Sequence, residues 1–150
     1  MNKKLIVAAI LALVATFAGL RHPIHQPAQQ QASQSASATD IATLTQQQRV
    51  ADYLHQHQRL PAYYLTKNAA RKLGWEPSQG NLCQTLPGRA IGGDRFSNRE
   101  KVLPEKAGRR WFEADVNYDC GRRGSDRMLY SSDGMIYVTR DHYRHVEQVY

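Results

Sequence analysis

An alternation of side chains over residues 111–118 constrains the fold of this chain more than any other feature. At the period of two that is typical of a strand, one face carries Phe112, Ala114, Val116 and Tyr118. The opposite face carries Trp111, Glu113, Asp115 and Asn117. The first face suits a core, whereas the second is too acidic to be buried without partners. The pattern therefore predicts a strand with one apolar and one charged face.

Arginines follow this strand after a predicted turn at residues 119–121. If the chain reverses there as a β-hairpin, Arg123, Ser125 and Arg127 alternate on the returning strand and stand opposite the carboxylates. A carboxylate beside arginines can take a proton from a substrate while binding an anion. An ion-pair ladder on an exposed sheet face explains the same pattern. Both interpretations stay open on this stretch alone.

The N-terminal segment has the pattern of a secretory signal peptide. Lys3 and Lys4 precede an apolar run over residues 5–20, with small residues around Ala15 and Ala18. We expect cleavage after Ala18 and export to the extracellular space or the periplasm. The run is shorter than the roughly 20 residues that span a bilayer. Residues 19–42, rich in Gln, Ala and Ser, predict a flexible tether or pro-segment, which leaves 43–150 as the folded domain.

Export gives a meaning to the two cysteines, Cys83 and Cys120. Neither has the neighbours that a zinc site needs, so we predict a disulfide between them. Such a bond closes a loop in the unfolded chain and would stabilise the fold by on the order of 4 kcal/mol by the chain-entropy estimate.

The charge balance indicates the kind of partner. The chain carries a formal net charge of +7, and residues 40–150 hold 17 basic against 13 acidic side chains. This excess favours polyanionic partners, either nucleic acid or an anionic membrane surface.

Two helices are predicted in the first half of the folded domain. Thr45 and Gln48 have the spacing of a capping box for a helix that must end before Pro61. A second helix is predicted over residues 67–73, with Thr66 as its N-cap. Lys67 lies in its first turn, where a cation is unfavourable against the helix dipole. An anion bound at that helix end would explain the lysine, and so would simple solvation.

Strand and turn patterns dominate from residue 90 onward. Asp133 and Gly134, between two apolar runs, indicate a tight hairpin, and a final short strand is predicted near residues 146–149. The predicted fold is α+β, with N-terminal helices packed on one side of a C-terminal antiparallel β-sheet. Sequential pairing of its strands would bring Glu113, Arg127 and His142 onto neighbouring strands.

A carboxylate, a histidine and arginines fit one chemistry best. A nucleophilic triad would need an activated Ser or Cys, but there is no Gly-x-Ser-x-Gly motif. A metal nuclease would need more clustered acids than Glu113 and Asp115. RNA carries its own nucleophile, the 2'-hydroxyl, so an enzyme need only move protons and stabilise charge at phosphorus. Metal-independent cleavage of RNA is therefore the predicted reaction.

Six short motifs resemble the barnase family of secreted bacterial guanyl-preferring ribonucleases, and the likeness runs from about Val50 to near the C-terminus. They are Ile-Gly-Gly-Asp (91–94), Phe-Ser-Asn-Arg-Glu (96–100), Glu-Ala-Asp-Val-Asn-Tyr (113–118), Ser-Asp-Arg (125–127), Tyr-Ser-Ser-Asp (130–133) and Asp-His-Tyr (141–143). The resemblance implies the microbial ribonuclease fold and cleavage of single-stranded RNA 3' to guanosine through a 2',3'-cyclic phosphate. It also implies a monomer without cofactor or metal, and a possible polypeptide inhibitor of the barstar type.

The resemblance assigns roles to individual residues. Glu113 would be the general base and His142 the general acid. The phosphate-binding residues that it implies are Lys67, Arg123, Arg127 and Tyr143, with Asp115 orienting the arginines. The guanine-binding residues that it implies are Phe96, Ser97, Asn98, Arg99 and Glu100, with Glu100 accepting the N1 and N2 protons of the base.

Some residues depart from the family pattern. Arg122 replaces an aromatic residue, Lys101 and Val102 replace a pair of glycine and a basic residue, and the two cysteines are not general in the family. Two other functions stay open, an antibacterial ribonuclease toxin and a non-catalytic basic nucleic-acid-binding module. Cleavage of RNA in the presence of a chelator would separate the second from an enzyme.

Overall fold

The computed structural model describes residues 40–150, and the predicted signal peptide and most of the predicted tether lie outside this range. Regular structure begins at its start, because the Asp40 carboxylate accepts a hydrogen bond from the Ala42 amide and caps a helix over Ile41–Leu44. No helix within residues 40–150 is long and apolar enough to cross a membrane.

Four α-helices occupy the first half of the described chain. They are α1 (Ile41–Leu44), α2 (Gln47–His57), α3 (Lys67–Lys72) and α4 (Leu82–Thr85), with a 3-10 turn at Pro77–Gln79. Val50, Ala51 and Leu54 are buried on one side of α2, at the spacing that an amphipathic helix requires.

The predicted capping box at Thr45 is wrong. The side chain of Gln46, the residue that caps α2, makes no capping hydrogen bond. The Thr45 hydroxyl instead donates to the carbonyl of Ile41 and accepts the amide of Tyr118 at 3.0 Å. Because its partner lies 73 residues away, a local sequence pattern could not reveal this use of the threonine.

Six strands form one sheet in chain order. They are β1 (Tyr64–Leu65), β2 (Ala90–Phe96), β3 (Trp111–Asp115), β4 (Arg127–Ser131), β5 (Ile136–Thr139) and β6 (Glu147–Gln148). β1 pairs with β2 in parallel, and all later neighbours are antiparallel. The predicted α+β fold with a largely antiparallel sheet is confirmed.

The two faces of the sheet have different cores. The larger core includes Val50, Leu54, Ala114, Met128 and Val138, between the helices and the sheet. A smaller apolar cluster contains Leu103, Trp111, Leu129 and Tyr137. Trp111 shares a face of β3 with Glu113 and Asp115, so this cluster supports the charged side of the sheet.

A β-bulge places a carboxylate on that charged side. The register between β2 and β3 shifts at Gly93, so that Asp94 stands opposite Glu113. Gly93 has φ +102°, in the left-handed region that favours glycine. A Cβ atom on neighbouring Gly92 would lie 2.7 Å from the Ala114 Cβ, so the strands approach too closely there for a side chain.

The chain does reverse after β3, but the returning strand is shorter than predicted. β4 begins at Arg127, opposite Asp115, whereas Arg123 and Ser125 lie in the loop over residues 116–126. In this loop Asn117 and Cys120 have positive φ angles of 52° and 65°. These conformations end the strand geometry and form a loop instead.

The predicted disulfide between Cys83 and Cys120 is confirmed, with the two Cα atoms 5.6 Å apart. It ties the 116–126 loop to α4. The hairpin predicted at Asp133 and Gly134 joins β4 and β5, and the amide of Ser131 donates to the carbonyl of Met135. Its turn therefore has three residues, 132–134, rather than two.

Candidate active site

Glu113 is a buried carboxylate with two fixed partners. Its Oε1 atom lies 2.9 Å from the Lys67 Nζ atom, and its Oε2 atom accepts a hydrogen bond from the Tyr143 hydroxyl. Burial raises the pKa of the Glu113 carboxyl, but these two hydrogen bonds and the charges of Lys67 and Arg123 outweigh burial. The pKa of Glu113 therefore lies below its ordinary value, and the group is ionised at neutral pH.

Lys67 reaches Glu113 from the first turn of α3. Thr66 caps this helix as predicted, since its hydroxyl accepts the Ala69 amide. The Lys67 amide donates to Asp94 Oδ2 at 3.0 Å. Asp94 therefore places a carboxylate at this helix end, where it offsets the unfavourable position of the lysine at the positive end of the dipole.

Asp115 holds two arginines. Arg123 donates to both of its carboxylate oxygens, from Nε at 2.8 Å and from Nη2 at 2.6 Å. The Arg127 Nε atom lies 3.1 Å from Asp115 Oδ1 without the alignment of a hydrogen bond, so this is a contact between charges. Arg127 Nη1 also donates to the carbonyls of Gly124 and Asp126. The guanidinium groups are therefore fixed by the strand end and the adjacent loop.

Five charged residues, which we call the charged floor, form one surface of the site: Lys67, Glu113, Asp115, Arg123 and Arg127. Three cations face two carboxylates in the floor, and the Asp94 carboxylate lies beside them at the start of α3. The side chains of Lys67 and Arg123 retain 32% and 21% of their exposure, whereas that of Asp115 retains 4%. The exposed ends of Lys67 and Arg123 are thus available to an anionic ligand, whereas the Arg127 side chain keeps only 4% of its exposure.

Burial and charge also shift the pKa values of two neighbours. Burial lowers the pKa of Arg123, but the hydrogen bond to Asp115 and the negative charges of Asp115 and Glu113 raise it above its ordinary value. Burial and the hydrogen bond to Glu113 raise the pKa of Tyr143 far above the usual range for a phenol. Both groups keep their protons at neutral pH.

His142 lies in the loop that follows β5. Its amide donates to the carbonyl of Ser125 at 3.1 Å, and its ring packs against Tyr143 with the centroids 4.8 Å apart. His142 and Tyr143 border a cavity of about 300 Å³. The other residues that line it are Phe96, Ser97, Arg99, Glu100 and Val102.

The loop over residues 96–100 is held by its own buried asparagine. Asn98 donates to the carbonyl of Leu103 at 2.9 Å and accepts the Leu103 amide at 3.1 Å. Its carbonyl also accepts the amide of Lys101, and both Asn98 and Lys101 have positive φ angles. The Asn98 side chain is therefore used inside the loop, and Arg99 and Glu100 are left exposed at its tip.

The loop is connected to the catalytic candidates by one aromatic pair. The rings of Phe96 and Tyr143 are stacked with their centroids 4.8 Å apart. Tyr143 in turn donates to Glu113. A base bound in the cavity would thus lie next to the groups that could act on its ribose and phosphate.

Most predicted site residues come together, and a few other polar residues point elsewhere. Arg122 turns away from the floor and donates to the carbonyl of Ser78 at 3.0 Å. His55 stacks on Tyr150, and His145 pairs with Asp141. The other predicted residues lie in the charged floor, at His142 and Tyr143, or along the 96–100 loop.

Sequence reasoning missed Asp94 and Thr139. Asp94 directly follows the glycines at 92 and 93. A pair of glycines within a strand is a sequence signal for a bulge, which changes the direction of the next side chain. Thr139 ends β5 and is almost fully buried, at 1% exposure, and no sequence pattern marked it.

The arrangement combines an ionised carboxylate and three cations with a histidine that lines the cavity, and Tyr143 contacts both Glu113 and His142. A carboxylate can accept a proton, a histidine can deliver one, and fixed guanidinium groups stabilise charge that develops at phosphorus. Within residues 40–150, no three His, Cys, Asp or Glu side chains cluster as metal ligands would. Such groups on an α+β scaffold could transfer protons at an anionic substrate.

Comparison with known proteins identifies the family. A family model described as ribonuclease matches residues 47–150. The chain is 46% identical over 143 residues to a ribonuclease of Bacillus intermedius, covering 92% of this chain and 88% of the relative. It is 57% identical over 94 residues to a ribonuclease of Heyndrickxia coagulans, covering 63% of this chain and 86% of that relative.

A ribonuclease of Bacillus pumilus is also 57% identical over 94 residues, which are 63% of this chain and 58% of that relative. The chain therefore belongs to the ribonuclease family of RNA-cleaving enzymes, and the predicted barnase-like relationship is confirmed.

Proposed function

We propose that this protein is a secreted endoribonuclease that cleaves single-stranded RNA on the 3' side of guanosine. The reaction proceeds through a 2',3'-cyclic phosphate without a metal ion. The observation that carries this proposal is the ionised Glu113, held by Lys67 and by the hydroxyl of Tyr143, a residue that lines the cavity together with His142.

Glu113 is the general base in this mechanism. It accepts the proton of the ribose 2'-hydroxyl, whose oxygen then attacks the adjacent phosphorus. Lys67, Arg123 and Arg127 stabilise the negative charge on the pentacoordinate phosphorus species, and Tyr143 contacts the phosphate beside the acid. Asp115 keeps the two arginines in place through the contacts described above.

His142 is the general acid, which protonates the departing 5'-oxygen. Water can then open the cyclic phosphate, with His142 removing a proton from water and Glu113 returning one to the 2'-oxygen. A histidine suits this exchange because its imidazole ring can both donate and accept a proton.

The 96–100 loop supplies the choice of base. Guanine presents two adjacent donors, N1–H and N2–H, and a carboxylate such as Glu100 can accept both. Adenine has an acceptor at N1 and would leave the carboxylate without its partner. In this proposal the backbone of Ser97, Asn98 and Arg99 surrounds the base, and Phe96 lines the cavity together with Ser97 and Arg99.

Export and partners complete the proposal. The basic start and apolar run of residues 3–20 and the disulfide between Cys83 and Cys120 support export to an oxidising compartment. A polypeptide inhibitor of the barstar type would present an acidic surface to the cationic site. Titration of the activity with barstar checks this, and a lack of inhibition at micromolar inhibitor would argue against it.

Dinucleotide substrates test the reaction and the base preference together. We expect GpN to be cleaved faster than ApN in EDTA, with the guanosine 2',3'-cyclic phosphate appearing before the 3'-phosphate on chromatography. The 2'-deoxy analogue of GpN should not be cleaved, because it lacks the nucleophile. Equal rates for GpN and ApN would contradict the base preference, and direct release of a 3'-phosphate would contradict the mechanism.

A further inference from the structure

The loop that carries His142 has an unusual backbone. His142 and Tyr143 are consecutive residues without glycine, and both lie in the left-handed region, with φ angles of 53° and 72°. Residues with side chains occupy this region only where surrounding contacts hold them there. The contacts that hold this loop therefore decide where the acid candidate stands.

The Thr139 hydroxyl makes the central contact of this loop. Its Oγ1 atom accepts the amide of Tyr143 at 3.0 Å and donates to Asp141 Oδ1 at 3.1 Å. The same carboxylate oxygen accepts the amide of His145 at 2.9 Å. Thr139 itself is the last residue of β5 and is buried, so the hydroxyl connects the rigid strand to the loop.

This contact reaches both catalytic candidates. Thr139 binds the backbone of Tyr143, which directly follows His142 in the chain. The hydroxyl of the same tyrosine donates to Glu113. Tyr143 also stacks on Phe96 at the start of the 96–100 loop. A displacement of the Tyr143 backbone would therefore move the His142 ring and withdraw a donor from Glu113 in one step.

We propose that Thr139 is a positioning residue whose hydroxyl, together with Asp141, fixes the general acid and the hydrogen bond to the general base at the same time. This inference rests on the proposed function, because it takes Glu113 and His142 as the groups that move protons. Thr139 touches no substrate and acts only through the loop.

A purely structural threonine would behave differently from a positioning one. Loss of a structural hydrogen bond lowers the stability of the fold but leaves the rate of the folded enzyme unchanged. Loss of a positioning contact changes kcat and the pH profile in the folded enzyme, since small displacements of reacting groups have large effects on rate. The two roles can therefore be separated by kinetics on folded protein.

The test compares Thr139→Val with Thr139→Ser and with Thr45→Val. Valine keeps the shape of threonine and removes the hydroxyl, whereas serine keeps the hydroxyl. Thr45 is a matched control because it is also buried, and its hydroxyl also accepts a backbone amide, that of Tyr118. GpN cleavage is measured over a range of pH values at a temperature where circular dichroism shows each variant to be folded.

We expect Thr139→Val to lower kcat roughly tenfold to a hundredfold with KM nearly unchanged. The acid limb of its kcat/KM profile should move to higher pH, because the Tyr143 hydroxyl, which lowers the pKa of Glu113, is displaced. Lys67 from α3, Arg123 from the 116–126 loop and Asp94, which stands opposite on β2, also face Glu113 and stay in place. Thr139→Ser and Thr45→Val should keep the wild-type kcat and profile.

A folded Thr139→Val with wild-type kcat and pH profile would overturn the inference. If this variant does not fold, Asp141→Ala, a change nearer the surface, takes its place with a smaller expected loss of kcat. Wild-type kinetics of Asp141→Ala would then overturn it. Glu113→Ala and His142→Ala in the same assay keep the two proposals apart, since substantial activity in either means that the proposed mechanism has failed.

Discussion

The charged floor and the 96–100 loop are adjacent parts of one site, and they are built in opposite ways. The floor consists of side chains on β3, β4, α3 and the 116–126 loop, and each charge has an opposite charge within about 3 Å. The loop presents exposed side chains at its tip and is held by the single buried Asn98. The comparison suggests a division of work, in which the floor acts on any nucleotide and the loop selects the base.

Physical chemistry explains why the two parts differ. Ionised groups that are buried need partners, since an unpaired buried charge is strongly unfavourable, so the floor has to be a network. A group that recognises a base must keep its hydrogen-bonding atoms free for the base. Such a group can project from a loop into water and needs no partner in the protein. Changes in the floor should therefore lower activity on all bases in parallel, and changes in the loop should alter the ratio between bases.

The largest expected effect is on the rate. Glu113→Ala and His142→Ala should each lower kcat by at least about two orders of magnitude, because each removes a positioned proton-transfer group. The loss should be the same for GpN and ApN, measured as kcat at saturating substrate. Near wild-type cleavage by folded Glu113→Ala would remove the carboxylate from the mechanism, and unequal losses for the two bases would contradict the division of work.

Asp115→Asn should have the largest effect on stability within the floor. The change leaves Arg123 and the buried Arg127 facing a neutral amide, and removal of one partner from a buried ion pair costs about 3 kcal/mol or more. The free energy of unfolding in urea measures this. Glu147→Gln, at an exposed pair with Arg140, is the matched control and should cause a much smaller loss. Equal losses would mean that burial does not decide the strength of these pairs.

Glu100→Ala tests the other part of the site. It should lower the ratio of kcat/KM for GpN over ApN about tenfold or more, because guanine loses the acceptor for its two donors. Rates on ApN should change little, since adenine gains nothing from the carboxylate. Glu76→Ala, a carboxylate change outside the site, serves as the control. An unchanged ratio in Glu100→Ala would refute the role of Glu100.

The smallest expected effect is a displacement of the pH profile. Lys67→Met removes a hydrogen bond and a charge that lower the pKa of Glu113, so that pKa rises. Because Glu113 must be ionised to act as the base, activity disappears at a higher pH as the solution is acidified. The acid limb of kcat/KM for GpN should move upward, and Lys72→Met at the other end of α3 should leave it in place. A downward movement would contradict the assigned contact.

Much of the floor could be predicted from the sequence, because regular alternation determines which side chains share a face. The placement of Glu113 and Asp115 opposite β4, and the helix start at Thr66, follow from local patterns. The extent of the returning strand does not follow from a local pattern, because the positive φ angles at Asn117 and Cys120 depend on the loop and its contacts. Arg123 reaches Asp115 from that loop rather than from a strand.

Long-range contacts explain the other differences. The capping box at Thr45 failed because the Thr45 hydroxyl accepts the amide of Tyr118, and the carboxylate at the start of α3 comes from Asp94, 27 residues further along the chain. The residues of the 96–100 loop were assigned by resemblance, since no periodic pattern describes an irregular loop. The predictions that fall on residues 1–39 lie outside the described part of the chain.

The disulfide determines what a proteolytic cut would release from the chain. Cys83 and Cys120 close a covalent ring that contains β2, the 96–100 loop and β3 with Glu113. Exposed loop backbone, such as that between β2 and β3, is a preferred site of proteolytic cutting. A single cut inside the ring leaves both pieces joined through the sulfur atoms, so no fragment can diffuse away. A chain with this topology can be cut in the 96–100 loop and still keep both parts of the candidate site covalently joined.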